Sequence, residues 1–128
     1  MKLLLDTCTF LWFINSDAKL SKIARESIED ASNEVFFSAV SSWEISRKYE
    51  MGKLELPAPP ELFLPAQREL NRFTFLPLEE IDLIHSSRLP RHHRDPSDRL
   101  LVAQASLNGL TLLSPDPLFR NYAIRVRW

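Results

Sequence analysis

The residues of this chain predict an α/β fold: a three-layer α/β/α sandwich around a mostly parallel central sheet. Two observations carry that expectation. Short apolar runs without polar alternation recur at Lys2–Leu5 and at residues 35–40, 73–76 and 110–113, and strands of that kind are buried on both faces. Between them lie segments with helical periodicity, and strands that alternate with helices build a parallel sheet covered on both sides.

The elements follow in order. Lys2–Leu5 is the first strand, and residues 9–15 form a short apolar helix. Residues 21–31 place Ile23, Ser27, Ile28 and Ala31 on one helical face with acids opposite. Residues 35–40 are the second strand, and residues 42–51 a helix closed by Gly52. Leu56-Pro57-Ala58-Pro59-Pro60 is a stiff connector, not a boundary, because a helix over 61–70 starts at once. Residues 73–76 are the third strand and residues 78–89 an amphipathic helix. Pro96–Asn108 is a strong helix ending at Gly109, with strands at 110–113 and 123–126 completing the sheet. No repeat or low-complexity stretch interrupts this order, so residues 1–128 read as a single domain.

Composition narrows the class. An apolar share of 45% and a charged share of 26% are ordinary for a water-soluble globular protein. Cys8 is the only cysteine, which excludes a disulfide framework and a Cys-rich zinc site and makes a reducing cytoplasm the expected compartment. No apolar stretch reaches membrane-spanning length, and no signal peptide precedes the first strand, so no membrane partner is expected. The net charge of −1 hides an asymmetry. Residues 1–87 carry nine Lys/Arg against fourteen Asp/Glu, whereas residues 88–128 carry seven Arg against three Asp. An all-Arg basic segment suits bidentate phosphate contacts and equally suits a solvated face.

Four acids stand where strands end or where helices begin just beyond them: Asp6, Glu44, Asp98 and Asp116. In open α/β sheets, ligands sit outside the carboxyl ends of the strands. Each acid has a structural use of its own. Asp6 can cap a helix; Ser41-Ser42-Trp43-Glu44 fits a capping box; Asp95-Pro96-Ser97-Asp98 fits a helix start; Ser114-Pro115-Asp116-Pro117 is a turn. Together they argue differently, because Ser or Asn caps as well without mutual repulsion. Carboxylates gathered on one rim without matching Lys or Arg are costly unless a cation neutralises them, and oxygen-only ligands favour Mg²⁺ or Mn²⁺. The expectation is a metal-dependent phosphodiesterase.

The same stretches resemble the PIN-domain family, and specifically VapC-like toxin ribonucleases. The matching runs are Leu3-Leu4-Leu5-Asp6-Thr7; Phe37-Ser38-Ala39-Val40-Ser41-Ser42-Trp43-Glu44-Ile45, leading to Gly52-Lys53-Leu54-Glu55-Leu56-Pro57; His93-Arg94-Asp95-Pro96-Ser97-Asp98-Arg99-Leu100-Leu101; and Leu112-Leu113-Ser114-Pro115-Asp116. The resemblance implies a PIN-like fold and an acidic quartet of Asp6, Glu44, Asp98 and Asp116, with Asp95 as the cap of its helix or an acid supporting a ligand. It implies a metal-dependent endoribonuclease, the toxin of a type II toxin–antitoxin pair. Its cofactor would be Mg²⁺ or Mn²⁺, held by Asp6, Asp98 and Asp116, with Glu44 as a ligand through water or as the base. The implied partners are an RNA substrate, a cognate antitoxin and a second copy in a homodimer. Phe10-Leu11-Trp12-Phe13-Ile14 offers an apolar stretch that an amphipathic antitoxin tail would cover. The chain departs from its relatives at Cys8, where His is frequent, at Ser97, where an aromatic is common, and at Ser114-Pro115, where Thr-x is more usual.

Arg94, Arg99 and Arg120 are candidates for backbone phosphates, and Ser114 for a phosphate or for holding a ligand carboxylate. His85, His92 and His93 lack zinc-ligand spacing, and His92-His93 is expected in an exposed loop. Other classes fit less well. A receiver-type phosphoacceptor would show an adjacent acidic pair after the first strand and a late Lys, but Asp6 stands alone and no Lys follows Lys53. A catalytically silent PIN-like module that binds RNA or protein, and a housekeeping RNA-processing nuclease, remain as alternatives.

Overall fold

The computed structural model describes Met1–Trp128. Its elements run β1 (Lys2–Leu5), α1 (Thr7–Ile14), α2 (Lys22–Glu29), β2 (Glu34–Ser38), α3 (Ala39–Glu50), α4 (Pro60–Asn71), β3 (Thr74–Leu76), α5 (Glu80–Arg88), α6 (Pro96–Asn108), β4 (Thr111–Leu113), a 3₁₀ helix (Pro117–Asn121) and β5 (Arg125–Arg127). The five strands form one sheet in the order β3-β2-β1-β4-β5. Every pairing is parallel, so the expectation of a mostly parallel sheet is met in full.

Period-2 side-chain alternation divides the interior into two cores. Leu3 and Leu5 of β1 join Val35 and Phe37 of β2 and Leu113 of β4 on one face, packed by Phe10, Ala24, Ile28 and Leu64 from the helices. Leu4 and Leu112 face the other way, against Leu100, Leu101, Val102 and Ala105 of α6 and Phe119. Two cores with the sheet between them are the three layers the sequence predicted. Phe10 and Phe37, fully buried, meet edge-on with ring centroids 4.6 Å apart, and each such burial contributes about 2–3 kcal/mol. Gly109 ends α6 at φ 63°, a left-handed conformation that any residue with a Cβ adopts at a cost.

Several boundaries differ from expectation for one physical reason, capping by side chains. α1 starts at Thr7, because Asp6 accepts the Thr9 amide. The second strand ends at Ser38, whose hydroxyl accepts the Val40 amide and starts α3 at Ala39. Glu44 therefore lies in the second turn of α3, and the capping-box role expected for Ser41 and Glu44 is corrected.

Candidate active site

Strand order sets the location of the site. From β1 the chain steps outward through β2 and β3, then crosses to β4 on the other side of β1. The crevice beyond the carboxyl ends of β1 and β4 is thus the topological switch point, where open α/β sheets take their ligands. Asp6 follows β1 directly, and Ser114 to Asp116 follow β4. Glu44 reaches the same place from α3, and Asp98 from the first turn of α6. All four acids line one cavity of about 200 Å³, with Thr7, Cys8, Leu11, Lys48 and Phe119.

Each carboxylate is held by its own local chemistry. Asp6 is buried, and its Oδ1 accepts the Thr9 amide at 2.8 Å and the Cys8 thiol at 3.3 Å. Burial pushes its pKa above the ordinary carboxylate value, against the opposing hydrogen bonds of Ser114, Thr9 and Cys8. Asp98 is pushed up to about 6, first by burial and then by the charges of Asp95, Glu44 and Asp116, while His93 opposes the rise. Asp116 caps the 3₁₀ helix, its Oδ1 accepting the Leu118 amide at 2.9 Å. Glu44 lies 3.9 Å from Lys48 Nζ, so the cluster has one cation at its edge where the sequence suggested none. The Thr7 and Ser41 hydroxyls, 2.9 Å apart and buried, tie the helix beside Asp6 to the helix of Glu44.

The other expected residues divide. Asp95 caps α6, accepting the Ser97 amide at 2.9 Å. Arg94 is exposed beside a second cavity of about 550 Å³, which Arg91, His93 and Arg99 also line. Arg99 needs correction as a phosphate contact. Its guanidinium donates to Ser86 O at 2.7 Å, Pro90 O at 2.8 Å and Leu89 O at 2.9 Å, capping the end of α5. Ser114 is buried: its Oγ accepts the Asp116 amide at 3.2 Å and its side chain also hydrogen-bonds Asp6, in keeping with the second expectation for it, that it holds a ligand carboxylate. Arg120 is exposed. Cys8 stays a protonated thiol, because burial first and Asp6 second push its pKa up. Of the stretch Phe10–Ile14, Phe10 is fully buried, and the other four residues pack against the core while staying partly exposed.

Sequence reasoning missed His93. Expected in an exposed loop, it is only 7% exposed. Its Nε2 lies 2.8 Å from Asp116 Oδ2 and its Nδ1 3.1 Å from Tyr122 Oη. The available signal was its place five residues before Asp98, in the segment that crosses the acidic rim.

No three His, Cys, Asp or Glu side chains close on a single point as a complete ligand cage. The donor chemistry nevertheless fits a small hard cation. Mg²⁺ keeps several waters and takes only one or two carboxylates directly, and the four acids that line this cavity supply oxygen donors of that kind.

The sequence matches the PIN domain family model over residues 3–125. The chain belongs to the PIN-domain family. Solved structures share the fold. VapBC2 from Rickettsia felis bound to a promoter DNA fragment aligns with TM-score 0.73 and 16% identity, over 99% of this chain and 98% of that one. DNA-bound VapBC from Salmonella typhimurium gives 0.69 and 19%, over 99% and 97%. VapBC-5 from Mycobacterium tuberculosis gives 0.59 and 16%, over 98% and 95%. No curated protein matches the sequence. For this PIN domain, hydrolysis of nucleic acid is the coarse functional reading.

Proposed function

We propose that this PIN domain is a Mg²⁺- or Mn²⁺-dependent endoribonuclease acting as the toxin of a type II toxin–antitoxin pair. The observation that carries the reading is the meeting of Asp6, Glu44, Asp98 and Asp116, from four separate parts of the chain, around one cavity at the switch point. When bound, the metal lowers the pKa of water and offsets charge developing on the scissile phosphate. Asp6, Asp98 and Asp116 are the residues that would hold it. Glu44, on α3 across the cavity, orients the attacking water and takes its proton. Arg94 and Arg91, exposed beside the adjoining cavity, receive the flanking phosphates electrostatically.

The reading extends to one domain spanning residues 1–128, cytoplasmic and homodimeric, paired with an antitoxin. Solved structures alike in fold include VapBC-5 of Mycobacterium tuberculosis, a member of the VapBC family of toxin–antitoxin systems, and this supports the partner. No helix is long and apolar enough to cross a membrane. The decisive experiment compares RNA and DNA of one sequence with Mg²⁺, Mn²⁺ or EDTA, using the wild type and Asp6→Asn. Asn caps α1 as Asp does, so the variant should fold. Cleavage of RNA should require the metal and fall at least 10²–10³-fold in the variant. Near-normal cleavage by folded Asp6→Asn would refute the site.

A further inference from the structure

We propose that His93, backed by Tyr122, is a positioning residue that aims Asp116 at the cation. The assignment rests on the reading of this cavity as a metal-dependent hydrolase. It begins from hydrogen-bond bookkeeping. A carboxylate only accepts, so the 2.8 Å contact to Asp116 Oδ2 puts a proton on His93 Nε2. Tyr122 Oη accepts the His93 backbone N–H at 3.0 Å and lies 3.1 Å from Nδ1. Tyr122 Oη and Nδ1 share one hydrogen bond, which anchors the far side of the ring and keeps the Nε2 proton aimed at Asp116.

Packing fixes the ring as firmly as the bonds do. Its plane stacks on Tyr122 at 13°, and its centroid lies 4.4 Å from that of Phe119. Asp116 is then held at both oxygens, Oδ1 by the Leu118 amide and Oδ2 by His93. Each oxygen keeps one lone pair free, and those lone pairs point where the rotamer directs them. A buried histidine needs both nitrogens paired wherever it sits; what ties His93 to the site is the identity of one partner, Asp116 of the acidic cavity. Groups that hold ligating carboxylates typically contribute 10–100-fold in metal affinity.

The test is Mn²⁺ titration, read as binding and independent of cleavage, on the wild type and folded variants. His93→Phe keeps the ring and removes both bonds; Mn²⁺ affinity should fall about 10–100-fold. His93→Gln restores a donor at the reach of Nε2 and should recover most of that loss. Tyr122→Phe should weaken binding several-fold, and its effect should vanish in the His93→Phe background, because Tyr122 acts only through His93. Wild-type Mn²⁺ affinity in folded His93→Phe would overturn the assignment. If that variant fails to fold, unchanged affinity in Tyr122→Phe overturns it instead. A wild type that binds no Mn²⁺ would overturn the hydrolase reading and this assignment with it, whereas a His93 failure alone leaves the hydrolase reading standing.

Discussion

Asp98 sits half-buried among other acids, which makes its proton a variable of stability. Its folded pKa of about 6 exceeds the ordinary 3.8. Between those values the folded chain holds a proton that the unfolded chain has released. In the metal-free protein, stability should therefore fall as pH rises from about 4 to about 6 and then level off as far as this group is concerned. Buried Asp6, also raised, acts in the same direction. Urea midpoints across that range check this, and Asp98→Asn should flatten the decline. Without metal, Asp98→Asn should be no less stable than the wild type; a loss would make capping its real role. At this scale the acids could be read from the chain, because each follows an apolar run or a helix start. For His93 the chain offered only its nearness to Asp98: its anchor Tyr122 lies 29 positions away and its neighbour Asp116 23, so neither contact is written locally.

Arg99 shows how an element imposes its own use on a residue. Three carbonyls near the end of α5 take its guanidinium, and a charged donor satisfies helix-end acceptors that otherwise lack partners. Arg99→Ala should cost roughly 1–3 kcal/mol, seen as a lower urea midpoint, while activity per folded molecule stays near wild type. A selective loss of RNA affinity at unchanged stability would restore the phosphate role. A second brace joins the helices that carry Glu44 and Asp98. Gln104 of α6 bonds the Ser38 hydroxyl at the start of α3, and its amide donates to Pro77 O at 3.1 Å and to buried Asp82 of α5 at 3.2 Å. Strands and helices were legible from periodicity, because burial on one or two faces writes itself into residue order. These polar braces were not, because Gln104 lies in an apolar run and its partners are distant in sequence.

At the scale of the whole molecule, a cation held by the acids would act through linkage. A ion that binds the folded cluster and not the unfolded chain stabilises by mass action, about 2.7 kcal/mol at a hundredfold excess over Kd. Mn²⁺ should raise Tm, EDTA should reverse the rise, and Asp116→Asn should shrink it; a Tm indifferent to Mn²⁺ would argue against the cluster as a metal site. The alternation of elements made the parallel sheet readable. Strand order was not readable, because which side of β1 receives β4 depends on packing contacts absent from any local pattern.

The pairing of β1 with β4 has a consequence in time. Leu3 lies in register beside Thr111, and Leu5 beside Leu113, so β1 waits for a strand made about a hundred residues later. A chain still attached to the ribosome before β4 emerges has neither the crevice nor Asp116. Parallel pairings this distant in sequence form slowly. Chains stalled ahead of Thr111 should thus be degraded readily by protease and cut nothing. An emerging copy therefore has no complete acidic cavity until residues 111–116 have been made and paired.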